Sequence, residues 1–332
     1  MAFKLYIFYV VSVFLHLASK RFPALGTIRF DMLLVVAITI AILLTKTKHP
    51  RFDNLNNTGK ILIALFAYIV LSLPFVEWPG SVIKVGLEGF VKAVIFYYFT
   101  IFIIDTEKRL KIFLVVFIAC HTFRILEPVY LHIFHGYWGD TTFMGVGQIM
   151  PRLAGSPHDT INPNGLAFVI MTIIPFYHYL ALPSGWKFKI IYFCVMPLFI
   201  YALILTASRS GLLTLTVFAA ALMLKSKKKV LYILVLLVLV IAVLFNLSPI
   251  QRDRYLSIYR SDVRGASTAH ERIEGLKSNF ELIRQKPLVG YGLGTSLEAN
   301  YNLNQIGLVT HNLYLEVWQE LGLFGLILFL LF

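Results

Sequence analysis

A chain of 332 residues that is 58% hydrophobic and only 14% charged, with a mean hydropathy of +0.76, is far too apolar for an ordinary soluble domain. The formal charge of +13 would suit nucleic acid, but the basic residues are scattered among short loops and form no single face, so no nucleic-acid partner is expected. Apolar runs long enough for a hydrocarbon core of about 30 Å recur along the whole length, which excludes a barrel of short alternating strands and predicts an all-α, polytopic integral membrane protein.

In chain order, the first segment "MAFKLYIFYVVSVFLHLASK" places Lys4 ahead of an apolar run. It imitates a signal peptide but lacks a small-residue cleavage site, and reads as a retained first span from Leu5 to Ala18. Further spans are expected near Phe30 to Thr45, Ile61 to Val76, Val85 to Ile104, Lys111 to Leu126, Gly165 to Leu182, Phe188 to Thr206, Gly211 to Leu224, Val230 to Leu247 and His311 to Phe332, about ten in all. The fourth carries Lys84, Glu88 and Lys92 at i, i+4 spacing, a pattern for an amphipathic or cavity-facing first half. Cys120 and Cys194 lie inside apolar runs without a nearby second cysteine, so neither a disulfide framework nor a zinc knuckle is implied.

Lysine and arginine in the short loops set the orientation. With the N terminus inside, alternate loops hold Lys46, Lys48, Arg51 and Lys60, then Lys108, Arg109 and Lys111, then Lys187 and Lys189, then Lys225 and Lys227 to Lys229. Lys20, Arg21 and Arg29 are the exception on the opposite side. This orientation sends Glu127 to Asn164, the link Ser208 to Ser210 and the long loop Ser248 to Thr310 to the outer side.

The long loop contains an amphipathic helix, Thr268 to Gln285, with Ile273, Leu276, Phe280 and Ile283 on one face. Thr268 to Glu271 reads as its capping box, and Pro287 with Gly290, Gly292 and Gly294 as a flexible turn that ends it. Such a helix either lies at the lipid surface or roofs a cavity. In "LTASRSGLLTL" Arg209 stands between two apolar spans with almost no loop to solvate it. It either snorkels or binds an anion, for which the planar guanidinium fork suits a phosphate or diphosphate, with Ser208 and Ser210 adding hydroxyls. Arg152, in the proline-rich "PRLAGSPHDTINPNG", precedes a helix expected to be capped near Asn162. His132 and His135 sit i, i+3 without an acidic pair, so no metal site is expected. His311 and Asn312 stand at the mouth of the last apolar run. There a histidine is either a helix-terminal packing residue or a base, and Asn312 reads as an orienting or capping residue. Glu320 is either a buried hydrogen-bonding partner or a helix-end residue, and Gly322 and Gly325 read as packing glycines.

The blocks "RLAGSPHDTINPNGLAFVIMTIIPF", "LTASRSGLL", "ERIEGLKSNFELIRQKPLVGYGLG" and "THNLYLEVWQELGLFGLILFL", in this order, resemble the O-antigen ligase and polymerase family of bacterial envelope glycosyltransferases. The resemblance covers the chain from Arg152 onward; the first half is similar only in hydropathy. It implies N-terminal transmembrane helices at 1–126 and a catalytic membrane region at 127–332, with a periplasmic loop at 248–310. It implies transfer of a glycan from undecaprenyl diphosphate to an acceptor hydroxyl at the periplasmic face of the inner membrane, without nucleotide sugar, metal or other cofactor. The acceptor is lipid A core in ligases, another carrier-linked glycan in polymerases, and a protein hydroxyl in related members. Arg152, Arg209 and Arg272 would oppose the charge of the departing diphosphate and His311 would take the acceptor proton, with inversion at the anomeric carbon. Asn312, Ser208 and Ser210 would support them. Family members commonly continue past the last block, so a truncated form is also an expectation. A lipid-linked glycan transporter is the rival of another class, but it would bring an internal repeat, and none is legible.

Overall fold

A computed structural model describes residues 1–44, 57–144, 148–225, 249–256, 267–304 and 312–332. It forms two compact units, one of 1–41 with 106–267, the other of 42–105 with 268–332. Among the described residues six helices are long and apolar enough to cross a membrane: Asn57–Phe75, Pro79–Ile103, Glu107–His135, Pro163–Ala181, Trp186–Leu205 and Leu313–Leu331. Two shorter apolar helices, α1 (Ala2–Phe14) and α2 (Phe30–Leu44), coincide with the first two expected spans. The expected span Val230 to Leu247 lies outside the described residues.

The helices of the second unit's N-terminal part are α3 (Asn57–Ser72) and α4 (Glu88–Ile103). The Lys84, Glu88 and Lys92 series begins in a π-helical turn, Val82–Leu87, and Lys92 donates to Glu88 at 2.5 Å on an exposed face.

In the first unit α5 (Glu107–His135) starts at Thr106, whose side chain accepts from the Arg109 amide at 3.3 Å, and ends at the left-handed Gly136 (φ +66°). It runs on past Leu126, where a loop was expected. The reason is local: Pro128 sits inside the helix, but the turn signal, Gly136, comes only after His135. His132 is spent structurally, its Nδ1 2.8 Å from the Tyr137 carbonyl and its ring edge-on to Trp138. A buried ionic group ties α5 to the chain after it. Arg124 donates to Asp159 at 2.6 and 3.1 Å, His16 lies 3.4 Å from the same carboxylate, and Arg21 pairs with Glu127 through both carboxylate oxygens.

The segment after α5 departs from an all-helical fold. Gly139–Phe143 (β1) and Ile149–Leu153 (β2) form an antiparallel hairpin with Asp140 opposite Arg152. Helix α6 (Pro163–Phe176) then begins as expected, the Asn162 side chain accepting from the Gly165 amide at 2.8 Å. It packs with α5 and α7 (Trp186–Leu205) around Ile125, Leu166, Ile170, Ile173, Phe199 and Leu203, all sealed from the surface. Helix α8 (Arg209–Lys225) touches this core where Gly211 comes close; a Cβ there would meet Leu203 and Ala167 at 2.8 and 2.9 Å. Helix α9 (Pro249–Leu256) closes the described part of this unit.

In the second unit α10 (Ser267–Gln285) is the expected amphipathic helix, but its inner face differs. Leu282 and Ile283 are buried with Ser278 and Asn279, whereas Ile273 and Phe280 are exposed. The following turn is held in place, in contrast to the flexible turn expected. Tyr291 and Gly292 donate to the carbonyls of Gln319 and Glu320 at 2.9 and 2.8 Å. The Glu320 carboxylate accepts from the amides of Gly294 at 2.8 Å and Ser296 at 3.1 Å, at the start of α11 (Ser296–Asn304). Glu320 is therefore a buried hydrogen-bonding partner, one of its two sequence readings. The last helix, α12 (Leu313–Leu331), is kinked at Gly322 (φ +64°), where a side chain would collide with the Leu288 carbonyl at 2.2 Å.

Candidate functional site

Helices α7 and α8 are separated by the shortest of breaks, Thr206 to Ser208, and the site grows from it. Ala207 takes the left-handed conformation (φ +46°), costly for any residue with a Cβ. That reversal turns the carbonyls of Thr206 and Ala207 toward two arginines. Arg152, from β2, donates its Nε to the Thr206 carbonyl at 2.7 Å. Arg254, from α9, donates its Nε to the Ala207 carbonyl at 3.0 Å. Two guanidinium groups thus hang from consecutive carbonyls at the negative end of one helix dipole, and both residues are almost wholly buried, at 4% and 6% exposure.

The groups that Arg152 bonds to directly are neutral. Its two Nη atoms donate to the Thr142 hydroxyl at 3.2 Å and the Asn164 side-chain oxygen at 2.9 Å. Three of its five N–H donors are thereby used, all on neutral acceptors, and no carboxylate among the described residues is hydrogen-bonded to it. Burial first, and then the positive charges of Arg254 and Arg209, push its pKa down to about 10, with Asp140 acting against them. The group stays protonated at neutral pH, but it is a cation whose surroundings favour an arriving anion. Tyr255 donates toward the Ile204 carbonyl at 3.5 Å, and burial pushes its phenol up to about 12.

Ser208 is fully buried at the head of α8, its hydroxyl 3.1 Å from that of Ser210 and accepting from the Gly211 amide at 3.3 Å. Arg209 is the first residue of α8 and half-buried. Helix N-termini and arginines are each good hosts for phosphoryl oxygens, and here they share one corner.

The structure therefore brings together Arg152, Arg209, Ser208 and Ser210 of the residues expected from sequence. Asn312 is the cap of α12, accepting from the amides of Tyr314 at 3.0 Å and Leu315 at 3.2 Å. His311 and the Arg272 side chain lie outside the described residues. Sequence reasoning missed Arg254, Asn164 and Thr142. The string "RDRYL" does announce two arginines in a short helix, but not which of them turns inward.

Residues 194–330 match the family model described as O-antigen ligase. That segment is similar to the O-antigen ligase family. It holds the α7–α8 break, Arg254, Arg272, His311 and Asn312, while Arg152 and Asn164 precede it. No curated protein and no solved structure matches the chain. The family implies a membrane glycosyltransferase of the O-antigen ligase or polymerase type, and the apolar helices agree with a membrane protein.

Proposed function

We propose that the protein is an inner-membrane glycosyltransferase that moves a glycan from undecaprenyl diphosphate onto a hydroxyl of lipid A core, working at the periplasmic face. The observation that carries this reading is Arg152, a buried cation held on neutral acceptors beside Arg254, in a chain whose C-terminal part is similar to the O-antigen ligase family. A phosphoryl anion is a stronger partner for such a guanidinium than the neutral acceptors that hold it.

In this reading the region 127–332 is catalytic, about ten spans cross the membrane and the loop at 248–310 is periplasmic. The acceptor oxygen attacks the anomeric carbon from the face opposite the diphosphate. The bond from that carbon to the phosphate oxygen breaks, its electron pair leaves with the diphosphate, and the acceptor proton passes to His311. One displacement inverts the anomeric centre. Arg152, Arg209 and Arg272, with Arg254 added by the structure, oppose the charge gathering on the leaving group. Ser208, Ser210 and Asn312 support these groups. No metal or other cofactor enters the scheme.

The test is a transfer assay in membranes containing EDTA, with undecaprenyl diphosphate glycan as donor and lipid A core or a second carrier-linked glycan as acceptor. Product on lipid A core that disappears in His311→Ala and Arg152→Ala supports the ligase. Growth on the carrier makes the protein a polymerase instead. No product dependent on His311 with either acceptor overturns the scheme.

A further inference from the structure

An apolar trough of about 190 Å³ lies between α3 and α4, walled by Leu62, Ile63 and Phe66 on one side and by Phe90, Val94 and Tyr98 on the other. Side chains close both of its ends. At one the rings of Phe66 and Phe90 stack with their centroids 6.3 Å apart, and at the other the Tyr98 hydroxyl donates to the Gly59 carbonyl at 2.9 Å. That bond occupies the hydroxyl of the lining, so the walls offer no free side-chain group to a polar ligand. The helical rise from Phe90 to Tyr98 is about 12 Å, close to half of a hydrocarbon core of about 30 Å. The trough is therefore about one leaflet deep, and Phe66 and Val91 stand exposed along it.

The two ends differ in charge. Near the Phe90 end, Lys92 is neutralised by Glu88 at 2.5 Å. Near the Tyr98 end, Lys60 follows Gly59 in the first turn of α3, is exposed, and is paired with no carboxylate among the described residues. In sequence, 46–60 sets Lys46, Lys48, Arg51 and Lys60 against Asp53 alone, and a basic cluster beside a span attracts anionic headgroups. We infer that the trough seats one acyl chain of an anionic phospholipid whose headgroup phosphate meets Lys60. The leaflet is the one on the Lys60 side, the cytoplasmic one by the distribution of basic loops. Bound there, the chain fills the gap between the two closures and ties α3 to α4. The inference stands apart from the glycosyl-transfer reading and holds or fails without it.

The experiment titrates the full chain, purified and delipidated in a neutral detergent, with phosphatidylglycerol or phosphatidylcholine and reads bound lipid by native mass spectrometry. Phosphatidylglycerol should bind about fivefold more tightly than phosphatidylcholine, and Lys60→Gln should erase that difference by weakening phosphatidylglycerol alone. Val94→Trp, which fills the trough, should weaken phosphatidylglycerol about tenfold. Leu71→Trp, a bulky change at an exposed position of α3 outside the trough, should bind as the unaltered chain does. A phosphatidylglycerol with a diazirine in its acyl chain, applied to the unaltered chain, needs no variant to fold. It should label 59–66 and 90–98 and be displaced by unlabelled phosphatidylglycerol but not by glycerol phosphate, the headgroup without its chains. Equal binding of the two lipids, or competed labelling that maps to other helices, overturns the inference. A dimer, read by sedimentation, that Val94→Trp breaks with no change in bound lipid overturns it too and gives the trough to a second copy of the chain.

Discussion

Arg152 holds three neutral acceptors with a planar fork, so replacement by lysine keeps the charge and loses the geometry. Hydrogen bonds to charged groups contribute about 1.5–3 kcal/mol each. Arg152→Lys should therefore lower donor-dependent transfer by about tenfold or more, with a smaller loss of thermal stability than Arg152→Ala. Steady-state transfer rates against donor concentration, alongside unfolding in detergent, separate the two effects. Asp159 is a second residue whose surroundings fix its chemistry. Burial alone would raise its pKa, but hydrogen bonds from His16 and Arg124, and their charges, outweigh this and hold it at about 2. A depressed carboxylate pKa adds stability that is complete above the unfolded value and lost as pH falls through the folded one. The contribution, on the order of 2–3 kcal/mol, should thus disappear between about pH 4 and pH 2. Asp159→Asn should cost about 3–5 kcal/mol at neutral pH, because Arg124 is left buried without its anion. A melting curve that shifts by less than a few degrees would exclude this account. Of these residues only Arg152 was singled out beforehand, and it was the family resemblance of its block that did so. The partners of Asp159 come from 35 and 143 residues away in the chain, and nothing local announces them.

At the scale of elements, the six helices able to cross a membrane among the described residues were legible, because long apolar runs have few alternatives. The inner face of α10 was not. Ile273 and Phe280 share its apolar stripe, yet both are exposed, while Ser278 and Asn279 are buried. In a membrane protein an apolar side chain is as well served by lipid as by a core, so periodicity reports avoidance of water and not direction. The hairpin of β1 and β2 escaped for a different reason: five-residue strands, one holding Pro151, fall below any pattern of alternation. The turn before α11 gives an element-scale prediction. Gly322 joins a positive φ to contact with the Leu288 backbone, so Gly322→Ala should destabilise α12 and the turn together by about 1–3 kcal/mol. Glu320→Gln leaves one carbonyl oxygen where a carboxylate now accepts from two amides. It should cost about 1–3 kcal/mol and raise amide exchange at Gly294 and Ser296. Unchanged exchange at both amides would sink the idea that Glu320 holds this turn.

At the scale of the whole chain, two units with separate cores divide the residues expected to act. The first owns the corner around Arg152, Arg209 and Arg254, and the second owns Arg272 and Asn312. Each is built from two separate stretches, one of them among the first 105 residues, since 1–41 joins 106–267 and 42–105 joins 268–332. A truncation of the N-terminal helices would therefore strip packing from both units, and coexpression of the two halves should restore more protein than the C-terminal half alone.

The break between α7 and α8 has one more consequence. Chain connections usually absorb an extra residue without complaint, since water solvates whatever they expose. Here the connection is itself a fixture: the carbonyls of residues 206 and 207 each anchor a guanidinium brought from elsewhere in the chain. Adding or deleting a single residue would turn both anchors away at once, whatever the side chains around them. The spacing of this short link, more than its composition, is what natural variation in it is expected to preserve.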